Sequence, residues 1–285
     1  MPGTAQSQRV YFLSNPDRVD AAGALEDLLS FAASRCTVSG SSLGLDGRAA
    51  VTAGADRIVV LGGDGTLIGV ARSLGADQIP LIGVNVGKLG FLAEFSVDEF
   101  KSCFDRAISD DTIISRRTVL QVAVQHEGRV RDRSLAVNDC VIQAGPPFRI
   151  IRLAISINGE HLTEVGGDGL IVCTPSGSTA HNLSAGGPII QPGVDAIVLT
   201  PICPHSLTHR PLVVERESVI DIVARDVSEG TTAIIDGQVS CPLQPSDRVT
   251  LRRFDTDFVL VHNPLYAKWH NLVTKLHWGQ APDYH

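Results

Sequence analysis

Between Arg9 and Ile108 short apolar runs alternate with stretches in which apolar residues recur every three or four positions, a pattern that predicts strands feeding helices. Arg9–Leu13 reads as a strand closed by the turn Ser14-Asn15-Pro16-Asp17. Ala21–Ala33 reads as a helix with Leu25, Leu28 and Leu29 on one face. Thr37–Ser39 is a short strand candidate, whereas Arg57–Leu61 and Ile79–Val84 are apolar without alternation, as strands covered on both faces are. A helix is expected from Leu67 to Leu74, and another from Val97 to Ile108 opened by Ser96, with Glu99 placed for a capping box. The pattern is that of a doubly wound α/β domain.

From Thr112 the period changes to two. Leu120–His126 and Arg129–Leu135 flank Glu127-Gly128, and Arg149–Ile157 and Glu160–Val165 flank Asn158-Gly159, which predicts two hairpins. Val219–Ala224, Thr231–Ile235, Val249–Arg253 and Phe258–Val261 continue the strand pattern, and the one helix expected in this half follows Ser178. In the tail Tyr266–Trp278, residues Trp269, Leu272, Val273 and Leu276 stand at helical spacing and are expected to serve as core, docking on residues 1–108. The expected organisation is an α/β domain, 1–110, joined by the returning tail 263–285, and a mostly-β, sandwich-like domain, 111–262.

Composition narrows the partners. The 285 residues carry 24 Lys plus Arg against 31 Asp plus Glu, a net charge of −7, which leaves no electrostatic footprint for nucleic acid or an anionic membrane. Cys36, Cys103, Cys140, Cys173, Cys203 and Cys241 lack Cys-x-x-Cys spacing and mostly adjoin apolar runs, so buried free thiols are expected. Met1–Gln8 has no basic-then-apolar leader pattern and no run of membrane-spanning length occurs; a soluble, cytoplasmic protein is expected.

Candidate chemistry concentrates in two segments. Gly62-Gly63-Asp64-Gly65-Thr66 places a carboxylate at the carboxyl end of a buried strand, among glycines that leave backbone N–H groups open to a phosphate or ribose and permit positive φ. Ile68 stands where a dinucleotide fingerprint needs a third small residue, and Gly87-Lys88 is followed by Leu89, so neither that fingerprint nor a Walker loop is present. Residues 168–188 form an apolar strand opening into a run dense in hydroxyls and glycines; Ser176, Ser178, Thr179, Asn182 and Ser184 could serve a purine and ribose, or cap a helix. Two other groupings are weaker. His205 and His209 have metal-ligand spacing, but Pro201, Pro204 and Pro211 oppose the helix it needs. Asp168, Ser178 and His181 have the letters of a hydrolytic triad, but Ser and His three apart do not normally face each other correctly.

The ordered set Gly62–Thr66, Asn138-Asp139, Thr174-Pro-Ser-Gly-Ser-Thr-Ala180, Pro204-His-Ser-Leu-Thr-x-Arg-Pro211 and Asp236-Gly-Gln238 closely resembles the NAD kinase family. The resemblance implies Mg2+-dependent transfer of a phosphoryl group from ATP or polyphosphate to the 2′-hydroxyl of the adenosine ribose of NAD, with NAD lying between an α/β and a β domain. It implies Asp64 as the catalytic group and Gly62, Gly63 and Asp236 for the donor phosphates. Gly65, Asn138, Asp139, Ser176, Thr179, Ala180, His181, Ser184 and Gln238 would bind NAD, and a homo-oligomer, dimer or tetramer, is the expected assembly. Two positions depart from the family pattern: Asp139 replaces a Glu one methylene longer, and His181 replaces a Tyr that stacks on adenine. The rivals are a diacylglycerol- or sphingosine-type lipid kinase, which would share the Asp64 loop but want an apolar acceptor groove, and a non-catalytic dinucleotide sensor, which would not need Asp64.

Overall fold

The computed structural model describes residues 8–18, 20–87, 90–267 and 269–279. Residues 1–7 of the opening segment, Lys88-Leu89 and 280–285 of the tail lie outside it. The chain forms two compact units, one taking the described residues up to Ser115 with those from Val259 on, the other Arg116–Phe258.

In the first unit β1 (Arg9–Ser14), β2 (Thr37–Leu43), β3 (Arg57–Leu61) and β4 (Leu81–Val84) are joined by α1 (Ala21–Ala32), α2 (Arg48–Thr52) and α3 (Asp64–Leu74). The strands lie parallel in the order β2-β1-β3-β4, and Phe258–Val261 and Ile114–Arg117 extend the sheet beyond β4. The strand Phe258–Val261, read from the sequence as part of the β half, runs parallel to β4 with Leu260 opposite Leu81. Its four residues are all buried, which is the signature of a strand inside an α/β sheet and not of a half-exposed one. The helix expected over Val97–Ile108 is two, Val97–Ser102 and Phe104–Ser109, broken at Cys103, and its Ser96–Glu99 capping box is formed. Phe95, Phe100 and Phe104 pack edge to face beneath it, in the core of Phe12, Val59, Leu61 and Ile82.

The second unit holds two antiparallel six-stranded sheets. One has the order 160–167, 151–157, 220–226, 248–253, 120–126, 129–136; the other 212–215, 196–202, 169–173, 139–143, 232–235, 239–242. Leu120, Val122, Leu153, Ile155, Ile220 and Leu251 of the first meet Cys140, Ile142, Leu170, Val172, Ile197 and Leu199 of the second in one core. The second sheet is also covered outside, where Val141, Ile171, Cys173 and Val198 pack with Ala185 and Ile190. That explains why Gly169–Cys173 is buried throughout while Leu120–His126 alternates. The helix expected after Ser178 is a 3-10 turn, Ser176–Thr179, and four helical residues, His181–Ser184.

The tail helix is short, His270–Leu276, and has no buried residue. Trp269 is 54% exposed and Val273 39%, so the expected role of this stripe as core is overturned. Two helical turns cannot present a full apolar stripe, and polar contacts hold this segment instead: Asn263 and Asn271 donate to Glu94, and the Tyr266 hydroxyl to Glu99. Four cysteines are buried and all six are free; Cys203 is exposed, unlike the expected buried thiol, because it occupies a left-handed turn after its strand. Among the described residues no helix is long and apolar enough to cross a membrane.

Candidate active site

Strand order reverses between β1 and β3, and Ser14 stands opposite Leu61 at their carboxyl ends, the place where open α/β sheets bind ligands. The glycine loop begins there. Gly62 N–H donates to Val84 O, Asn15 N–H to Leu61 O, and Asn15 Nδ2 to Thr66 Oγ1 at 3.1 Å, tying the loop to both neighbouring strands. None of Gly62, Gly63 and Gly65 has positive φ, contrary to the reason first given for them. A Cβ on Gly62 would instead stand 2.4 Å from Thr66 Oγ1, so packing demands that glycine. A Cβ on Gly63 would meet only the Arg18 guanidinium, at 3.9 Å, so an approaching anion would find a basic group beside the N-terminus of α3.

Asp64 is the first residue of α3, where helix polarity favours its charge. Its Oδ2 accepts from Phe91 N–H at 2.7 Å, and its Oδ1 from Leu92 and Ala93 N–H at 3.0 and 2.9 Å. One carboxylate thus clamps three successive amides, and the chain arrives so closely that a Cβ on Gly90 would lie 1.9 Å from Oδ1.

The second unit repeats the device. Asp236 Oδ1 accepts from Asn138 and Asp139 N–H at 2.8 and 3.1 Å, and Oδ2 from Val137 N–H at 3.0 Å. Asp236 and Gly237 both have positive φ in the turn joining 232–235 to 239–242, so the residue needed for the turn also carries the clamp. Beside it lies a cavity of about 230 Å³ lined by Asn138, Asp139, Val141, Gln143, Ala180, His181, Ile234, Asp236 and Gly237. Period two explains the lining: Asp139, Val141 and Gln143 face outward, while Cys140 and Ile142 enter the sandwich core. Asn138 Oδ1 and Ser176 Oγ are buried without a hydrogen-bond partner, which a ligand donor or hydroxyl would correct. Burial first, and then the charge of Asp236, push the Asp139 carboxyl up to about 7.

Of the residues expected at the NAD site, Asn138, Asp139, Ala180 and His181 line this cavity together with Asp236. Thr179 Oγ1 bonds Ser176 O at 3.4 Å, Ser184 and Gln238 are exposed, and none of the three lines the cavity. Two of the hydroxyl and amide groups in the 174–188 run are structural. Ser178 Oγ donates to Pro175 O and accepts from Ile190 N–H, and fully buried Asn182 donates to Ser178 O and Pro188 O and accepts from Thr200 Oγ1. Ser178 Oγ is therefore committed to Pro175 and Ile190 and not to His181. His205 and His209 lie in an irregular segment, not a helix. Arg18 and the 90–93 segment are not among the candidates that the sequence singles out.

The descriptions "ATP-NAD kinase N-terminal domain" and "ATP-NAD kinase C-terminal domain" match residues 10–112 and 137–263. The chain is 42% identical to a NAD kinase of Geotalea daltonii over 226 residues, 79% of this chain and 80% of that one. It is 40% identical to a NAD kinase of Citrifermentans bemidjiense over 257 residues, 90% of this chain and 88% of that one. Among solved structures it resembles yeast NADH kinase complexed with NADH, with a TM-score of 0.84 and 25% identity, over 98% of this chain and 90% of that one. An Archaeoglobus fulgidus NAD kinase in complex with ATP shares the fold, with a TM-score of 0.76 and 24% identity over 95% of this chain and 99% of that one.

Proposed function

Because this chain belongs to the NAD kinase family, we propose that it transfers the terminal phosphoryl group of ATP to the 2′-hydroxyl of the adenosine ribose of NAD, forming NADP. The observation that carries the reading is Asp64, at the switch point of a phosphotransferase fold, with its carboxylate held rigidly by three amides. A carboxylate offers about four acceptor positions, and three are taken here. The remaining one accepts the ribose hydroxyl, orienting the oxygen for attack and receiving its proton as the new O–P bond forms, the β,γ P–O bond of ATP breaks and ADP leaves. Gly63 and the positive end of α3 receive the donor phosphates, with the Arg18 guanidinium beside them, and Gly62, whose N–H is held by Val84 O, shapes the loop.

The ATP substrate would carry Mg2+ with it, which would supply neutralisation of the charge on the donor phosphates. Asn138, Ser176, Ala180 and His181 support NAD binding in the second unit; the orphaned Asn138 Oδ1 and Ser176 Oγ suit the donors of a ribose or amide. Asp236 serves this reading by shaping the 137–139 backbone. The occupied carboxylate of Asp236 makes it a support for the nucleotide site more than a direct donor-phosphate ligand.

Incubation of the pure protein with NAD, ATP and Mg2+ is expected to yield NADP, and Asp64→Asn to lower turnover by about 10²–10⁴-fold while NAD still binds. No NADP from the wild type, or near-normal turnover in a folded Asp64→Asn variant, would defeat the assignment. NAD binding without turnover would favour the sensor, and phosphorylation of a diacylglycerol or sphingosine in place of NAD the lipid kinase.

A further inference from the structure

Lys275 stands in the His270–Leu276 helix, on the half-buried face it shares with Asn271, Leu272 and Leu276. Its Nζ is enclosed and has no hydrogen-bond partner. The ammonium lies 5.1 Å from the centroid of the Phe91 ring, the residue whose amide Asp64 clamps. Burial pulls its pKa down, while the charges of Asp64 and Glu94 hold it up. Both carboxylates are committed elsewhere. Asp64 accepts from the 91–93 amides; Glu94 is bonded to His262 Nδ1, Asn263 N–H and Asn271 Nδ2. The two acids supply charge compensation for Lys275, but neither is hydrogen-bonded to its Nζ, and a half-buried ammonium left so is costly. An anionic oxygen is what the arrangement lacks.

We propose that Lys275 is a phosphate-binding residue of the donor site, its Nζ taking a phosphoryl oxygen of ATP bound at the glycine loop. The inference rests on the kinase reading for the identity of the anion. It assigns the tail helix a role in the reaction: an ammonium beside Asp64 would offset the repulsion between that carboxylate and the triphosphate, and charge-assisted bonding to a phosphate oxygen would anchor the group that moves.

The test is MgATP binding by calorimetry without NAD, followed by steady-state kinetics, on wild type, Lys275→Met and Lys275→Arg. Met keeps the stem over Phe91 and removes the charge; Arg keeps the charge. Lys275→Met is expected to bind MgATP about 10- to 100-fold more weakly, the range for a lost hydrogen bond to a charged group, and to raise KM for ATP but not for NAD. Arg should recover most of the affinity. Unchanged MgATP binding in a folded Lys275→Met variant overturns the proposal, as does an equal loss in Met and Arg with lowered thermal midpoints, which would make Lys275 a packing residue. Wild type that binds MgATP but forms no NADP would instead fail the kinase reading and leave the Lys275 result to stand on binding.

Discussion

At Asp64 and Asp236 the same chemistry recurs: an aspartate at an element boundary accepts from three successive backbone amides and so fixes the path of the segment that carries them. An Asn at either position would turn an NH2 toward a backbone donor, so Asp64→Asn is not a silent change of charge; it also loosens the 91–93 segment. NAD binding, which belongs to other residues, is therefore the control for that variant. His181 poses a separate question. Its ring is exposed at the cavity that Asn138 and Asp139 line, and an imidazole can stack on a purine with less area than a phenol ring. His181→Ala is expected to weaken NAD binding by about 1 kcal/mol and His181→Tyr to leave it unchanged or improve it. Equilibrium titration with NAD decides this, and an Ala variant of wild-type affinity would put the ring outside the NAD site.

Among elements, the decisive junction is β3, α3 and the 90–93 segment, where Gly90 passes so close to Asp64 that no side chain fits. Gly90→Ala must push the carboxylate or the segment aside. It is expected to cost about 1–3 kcal/mol of stability, as overpacking does, and to reduce turnover as Asp64→Asn does while NAD binding persists. Turnover near wild type in Gly90→Ala would show that the clamp is not needed for catalysis. This junction also marks how far the sequence could be read. The apolar run Arg57–Leu61, the glycine-flanked acid and the Ser96–Glu99 capping box depend on neighbours in the chain, and they were legible. So were the hairpins turning at Glu127 and Asn158. The grip of Asp64 on Phe91–Ala93 joins segments far apart in sequence, and nothing local announces it. The same holds for Phe258–Val261, whose apolar run cannot say which sheet it enters, and for Ser178 and Asn182, whose donors looked ligand-directed until their partners were seen.

The whole chain has two cores, which allows stability to be probed one unit at a time. Both tryptophans, Trp269 and Trp278, belong to the first unit, whereas most of the antiparallel sheet belongs to the second. Tryptophan fluorescence therefore follows one and the far-ultraviolet β signal chiefly the other. Asp139 supplies the perturbation. It is 5% exposed, and burial together with Asp236 raises its carboxyl from 3.8 to about 7. The folded second unit thus keeps a proton that the unfolded chain releases near pH 4. The resulting stability is fully present below that pH and is lost as pH rises through about 7. Asp139→Asn mimics the protonated form at every pH. Wild type and variant should have similar unfolding free energies near pH 4 and diverge toward pH 8, the variant becoming more stable by about 1–4 kcal/mol. Denaturant unfolding at several pH values should show the divergence in the β signal, and in fluorescence only if the two transitions coincide. Parallel pH profiles for wild type and Asp139→Asn would mean that Asp139 ionises in the folded protein as freely as in the unfolded chain, with water or a counter-charge reaching it inside the cavity.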